Sequence, residues 1–214
     1  MNESFFAPII LSLKVGILCV ILYLFFGLLI ANYLSKNKNL FATILDIFVT
    51  IPLVFPPIAL GYFLLILFGK EGYLGFLDIL FSFESIVLAS FIAGLPLVIK
   101  PIESVLNKKI RILESVAYTL GRSKKDVFFF VTLPCIAKTL ISAMFLGFAR
   151  SIGEVGITLL IGGNIIGKTE TISLAIYNAA LGAEYEKAGV YASILGIFAI
   201  VIFLSLRILQ KENL

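Results

Sequence analysis

The chain has 214 residues, of which 60% are hydrophobic and 14% charged, with a net charge of +4, no histidine and no tryptophan. Soluble domains carry about 25% charged residues, so this apolar excess has to face lipid and a soluble enzyme is excluded. The basic residues sit beside the apolar blocks and form no stripe that could track phosphates, which argues against nucleic acid, and Cys19 and Cys135 lie in or at the edge of apolar segments that offer nothing for a disulfide framework or a metal cluster.

A helix needs ~20 apolar residues to cross the hydrocarbon core. Five stretches meet that requirement in chain order: residues 9–34, 41–68, 85–101, 135–161 and 190–209. They predict an all-α integral membrane protein with one domain over residues 1–214, a bundle of about five transmembrane helices. The first run lacks a preceding basic region and a small-residue cleavage site, so it reads as a retained span and not as a signal peptide. Lys36, Lys38, Lys100, Lys108, Lys109, Arg111, Arg122, Lys124, Lys125, Lys138, Arg207 and Lys211 gather on one side, against Lys70, Lys168 and Lys187 on the other. Cytoplasmic loops carry the Lys/Arg excess. The expected orientation puts the N-terminus outside, and the loop 102–134 and the C-terminus in the cytoplasm.

Pro52, Pro56 and Pro57 fall in the second span and Pro96 in the third, where each removes a backbone donor and bends the helix. Such breaks survive in lipid only where neighbouring helices or a water-filled cavity satisfy the freed groups. Helix packing and pathway lining both fit. Lys14 and Asp46 lie within reach of helix ends, and snorkelling accounts for them.

The loop 102–134 is too polar to span and too ordered for a linker. Leu106, Ile110, Leu113, Ala117 and Leu120 recur at helical spacing as one apolar stripe, with Lys109, Arg111 and Glu114 elsewhere on the circumference. Gly121 then stops the helix. Ser123 is placed to cap a second short helix that carries Val127, Phe128 and Phe129 toward the membrane re-entry at Leu133-Pro134. From composition, the segment fits either a docking surface for a cytoplasmic partner or an amphipathic segment lying on anionic lipid.

In the fourth span Arg150 and Glu154 stand four residues apart on one face, flanked by Gly153 and Gly156. A charge at the centre of a span costs ~2.5–3.5 kcal/mol on insertion scales, so these groups are expected to face the bundle interior and pair. The pair serves packing alone, or Arg150 adds positive potential to an anion pathway with Glu154 as its balance. Beyond it, residues 162–169 match the phosphate-loop pattern, with Gly162, Gly167, Lys168 and Thr169 at its fixed positions. No strand precedes them and they fall on the outer side, so the glycines are expected to make a tight turn before a short helix over residues 171–181.

The register of Gly121, Val131, Leu133 and Pro134 resembles the cytoplasmic motif of ATP-binding-cassette importer permeases: Glu-Ala-Ala, three residues, Gly, nine residues, Ile, any residue, Leu-Pro. Val116 and Ala117 occupy the Ala positions, Ser115 the Glu position, and Glu114 stands one residue early. Residues 149–156, 162–177, 11–14, 51–58 and 68–72 are similar to the sulfate/molybdate permease group, with 164–177 most like its molybdate/tungstate branch. The resemblance implies a type I importer-like fold in the membrane of a prokaryote. It also implies a second copy of the chain, two cytoplasmic ATPase subunits that hold ATP and magnesium, and an extracytoplasmic oxyanion-binding protein. No catalytic site, cofactor or metal is expected in this chain. Glu114, Val116, Ala117, Gly121, Val127, Phe128, Leu133 and Pro134 would couple to the ATPase, while Arg150, Glu154, Pro56 and Pro57 would line the pathway for molybdate or tungstate, or for sulfate. A secondary transporter would need a coupling carboxylate and internal repeats, for which Glu154 is the sole candidate. A membrane-embedded enzyme would need clustered catalytic groups, and a scaffold would carry no transport.

Overall fold

The computed structural model describes residues 2–106 and 108–211, and it is helical throughout its regular structure. Helix α1 (Asn2–Leu22) passes through a π turn, Tyr23–Gly27, into α2 (Leu28–Lys36), making one long first crossing. Asn39 opens α3 (Leu40–Val54), its Oδ1 accepting from the Ala42 amide at 2.8 Å. Helix α4 (Pro57–Phe68) follows after a two-residue break. A capping box between Ser82 and Ser85 starts α5 (Phe83–Val105). Helices α6 (Lys108–Thr119) and α7 (Lys124–Val127) lie in the long loop, and a second π turn, Phe128–Thr132, joins α7 to α8 (Leu133–Ile152). Helices α9 (Gly156–Gly162), α10 (Ile172–Leu181) and α11 (Tyr185–Lys211) complete the chain.

Four helical stretches are each long and apolar enough to cross a membrane: Phe5–Lys36, Phe83–Val105, Lys124–Ile152 and Tyr185–Ile208. The sequence places a continuous second span at 41–68, whereas the structure splits it into α3 and α4. The cause is local. A residue before proline is pushed out of the helical region, and Phe55 is extended at φ −80°, ψ 137°, followed by Pro56 at φ −56°, ψ 127°. Pro52 and Pro96, by contrast, stay inside their helices. The fourth span also moves. Instead of 135–161, one helical run covers Lys124–Ile152 and stops at Gly153, because the glycines there are poor helix formers and Glu154 caps a new helix.

Helix α5 is the centre of the bundle, touching α1, α2, α3, α8 and α9. Lipid gives helices no hydrophobic reason to associate, so close approach of small residues and interhelical hydrogen bonds have to hold them. Both devices meet at Tyr23, which is fully buried in the first π turn. A Cβ on Gly94 would stand 2.1 Å from the Tyr23 Oη, and one on Gly147 2.9 Å from its Cε2, so only glycine leaves room for the ring. The hydroxyl reaches the Ser90 carbonyl at 3.0 Å and the Ser151 Oγ at 2.9 Å, tying α1, α5 and α8 together. Tyr23→Phe keeps the packing and loses these bonds, so thermal unfolding in detergent should show a loss of about 1 kcal/mol. Large exposed apolar side chains such as Phe25, Phe48, Phe63 and Phe203 cover the outside of the bundle, as expected of lipid-facing positions.

Candidate functional site

The loop 102–134 folds as helix, glycine turn, helix. Arg122 N–H donates to the Ala117 carbonyl at 3.1 Å and Gly121 N–H to the Tyr118 carbonyl at 3.0 Å, the two bonds of a Schellman motif. Gly121 sits at φ +79° with nothing within 4 Å of an added Cβ, so conformation and not space dictates the glycine. Left-handed backbone costs a β-branched residue about 1–2 kcal/mol, whereas Asn visits it more readily. Gly121→Val should therefore weaken the protease protection of this turn more than Gly121→Asn does. Ser123 opens α7 through a capping box with Asp126, each side chain bonded to the other's backbone amide at 3.2 Å. The Ser123 hydroxyl also donates to the Asp126 carboxylate at 2.7 Å.

The apolar stripe on α6 differs from the one read in the sequence. Leu106, Ile110 and Ala117 are buried, but Leu113 and Leu120 are exposed, and Ile112 and Val116 join them on the outer side. The inward position between Ile110 and Ala117 belongs to Glu114, which is 7% exposed. A charge takes an inward place because it is fully partnered: its Oε1 accepts from the Thr132 hydroxyl at 2.6 Å and its Oε2 from Arg111 Nη1 at 2.7 Å. Burial pushes this carboxyl up, and the Thr132 hydroxyl and Arg111 guanidinium outweigh burial, so it titrates below its ordinary value. A lowered pKa in the folded state adds stability that is complete above the ordinary carboxylate range and is lost as pH falls through the lowered value. Protease protection of the loop should fall on acidification through that window, and Glu114→Gln should remove this component of the pH dependence.

Of the other residues assigned to coupling, Val116 is exposed, Ala117 and Val127 are buried, and Phe128 opens the π turn that leads into Leu133 and Pro134 at the start of α8. Within this loop, Phe129 and Phe130, at 57% and 77% exposure, are the most exposed aromatic side chains. Phe130 is not among the aromatics expected from the sequence; it projects from the middle of the π turn, whose register regular helical spacing does not give.

Arg150 and Glu154 pair, Nη1 to Oε2 at 2.5 Å, yet they do not share a helix face. Glu154 lies in the break after α8, 1% exposed, and its Oε1 accepts from the Ile157 amide at 2.7 Å at the start of α9. The carboxylate thus joins the end of one broken helix to the beginning of the next. Pro57, at the other break, stands against Gly156 at the start of α9: a Cβ on Gly156 would come within 2.7 Å of the Pro57 Cβ. The two interrupted crossings lie side by side, and Pro56, Pro57 and Ile58 form an exposed patch where the helix is broken.

The turn over 162–169 is self-satisfied. Gly163 and Gly167 take positive φ, the Thr169 hydroxyl donates to the Gly162 carbonyl at 2.7 Å, and the Ile165 amide donates to the Thr169 Oγ1 at 2.8 Å. Thr171 caps α10, whose first amide, at Ile172, donates to Ser12 Oγ of α1 at 2.8 Å. The sequence left Asp46 to snorkelling, but it forms an ion pair with Lys100, which also holds Glu103 at 2.9 Å, joining α3 to α5.

Residues 23–211 match the family model described as binding-protein-dependent transport system inner membrane component. The chain is 32% identical to the molybdenum transport system permease protein ModB of Azotobacter vinelandii, covering 96% of this chain and 94% of that protein. It is 34% identical to ModB of Haemophilus influenzae, over 94% of this chain and 93% of the relative. The sulfate transport system permease protein CysW of Synechocystis sp. is 29% identical over 99% of this chain and 79% of its own length.

Proposed function

Since the chain belongs to the family of binding-protein-dependent transport system inner membrane components, the permease subunits of ATP-binding-cassette importers, we propose that it moves molybdate or tungstate into the cell by alternating access. The observation that carries the transport pathway is the pair of adjacent broken crossings, with Val54 and the Pro56-Pro57 break exposed on a single chain. Backbone carbonyls freed at such a break are not tolerated against hydrocarbon and are found where protein or a water-filled cavity covers them. A second copy facing this side encloses the pathway, and Arg150 contributes positive potential beside it.

Coupling to ATP follows from the loop. Ile112, Leu113, Val116 and Leu120 present an apolar face beside the Gly121 turn, on the side where lysine and arginine concentrate. An ATPase subunit seated on that face closes on ATP, moves the loop, and opens the pathway toward an outer binding protein. Hydrolysis resets it inward. The termini lie on opposite sides, with the C-terminus in the cytoplasm.

The test is uptake of radiolabelled molybdate into proteoliposomes holding this chain, its ATPase and its binding protein. ATP-dependent uptake that tungstate competes away and sulfate does not is the expected result. Equal competition by sulfate would assign a sulfate-type permease, and uptake driven by an ion gradient without ATP would discard the importer mechanism.

A further inference from the structure

In the cytoplasmic half of the molecule a polar network joins three elements that are far apart in sequence. Glu114, on α6, divides its two carboxylate oxygens between Thr132 at the end of the second π turn and Arg111 one turn back on α6. Arg111 then extends its Nη2 to Ser35 Oγ and, at 3.4 Å, to Asn32 Oδ1 at the cytoplasmic end of the first crossing. Glu114 and Thr132 are 7% and 3% exposed, so water competes little for these bonds.

The apolar contacts of α6, through Ile110 and Ala117, are non-directional and permit sliding. Hydrogen bonds to a carboxylate fix both distance and angle. A buried ion pair adds little stability over apolar residues of the same volume, so its value lies in holding register. The register in question is that of a π turn, a helical irregularity that recurs at functional sites.

We infer that Arg111 and Glu114 are positioning residues that transmit displacement of α6 into the first and fourth crossings together, through Asn32 and Ser35 on one side and Thr132 on the other. Glu114 thus works inward, on the permease itself, and not on the ATPase surface. This inference rests on the reading that the loop receives the ATPase's movement. The outward knobs take the push, and the network makes two spans follow it as one body.

The measurement is molybdate imported per ATP hydrolysed by the assembled complex in proteoliposomes. Thr132→Val preserves shape and removes the hydroxyl, and Glu114→Gln preserves shape and removes the charge. Both should keep ATP hydrolysis within about twofold of wild type while the transport ratio falls about tenfold, the scale of a lost charge-assisted hydrogen bond. Thr132→Ser restores the hydroxyl and should restore the ratio. Asn32→Ala, at the edge of the network, leaves Arg111 its bond to Ser35 and should give a smaller loss in a fully folded protein. An unchanged ratio in assembled Thr132→Val, or hydrolysis and uptake falling in parallel across all the variants, overturns the inference. A wild-type complex in which ATP hydrolysis and uptake are already independent would instead remove the coupling-loop reading beneath it.

Discussion

Glu154→Ala is expected to destabilise the protein by about 1–3 kcal/mol, the cost of leaving a buried donor without its acceptor. Two groups lose their partner at once. Arg150 is left as an unbalanced cation in a membrane crossing, and the Ile157 amide at the start of α9 loses its acceptor. Glu154→Gln should cost less, because a side-chain amide oxygen still accepts from Ile157 while only the charge is gone. The informative variant is the double substitution Arg150→Met with Glu154→Gln, which removes both charges and keeps the cap. Thermal unfolding in nanodiscs should place it near the wild type in stability. Its molybdate uptake should stay low if Arg150 supplies potential to the pathway, and wild-type uptake by the double variant would reduce the pair to a packing device.

The helical class, the approximate number of crossings and the family are all legible in the sequence, since they depend on composition, apolar run length and a fixed spacing of Gly121, Leu133 and Pro134. Turn chemistry is legible too: Gly121 and Ser123 take the cap positions their residue types favour. What the sequence hides is the geometry between elements. A hydropathy window cannot see that a π turn joins α7 to α8 without a stop, nor that Gly153 ends a span that apolar residues continue. The inward turn of Glu114 was hidden for the same reason. Its partner Thr132 lies 18 residues away and its stabilisation depends on Arg111, so its charge alone places it on the wrong face of the stripe. Asp46 follows the same logic, with Lys100 as its partner across 54 residues.

The close approach of α4 and α9 should be as intolerant of volume as the ion pair is of charge. A Cβ on Gly156 would stand 2.7 Å from the Pro57 Cβ, 3.0 Å from the Ile58 amide nitrogen and 3.1 Å from the Pro57 carbonyl carbon. These are a proline ring and backbone, which have no rotamer to change. Across the same contact, a Cβ on Gly61 would meet Leu160 Cβ at 3.0 Å and the Ile157 Cα at 3.1 Å, so the two glycines face each other's helices with no slack to share. Gly156→Val should therefore force α4 and α9 apart, cost about 1–3 kcal/mol as overpacking does, and shift the Pro56-Pro57 break relative to Glu154. Gly153 is the control, because its nearest contact is 3.4 Å away and lies in its own preceding turn; Gly153→Ala should unfold close to the wild type. If the two broken crossings move as a unit during transport, Gly156→Val will lose molybdate uptake by far more than its fall in unfolding temperature accounts for. Uptake that declines only in step with the folded fraction would confine this contact to holding the bundle together.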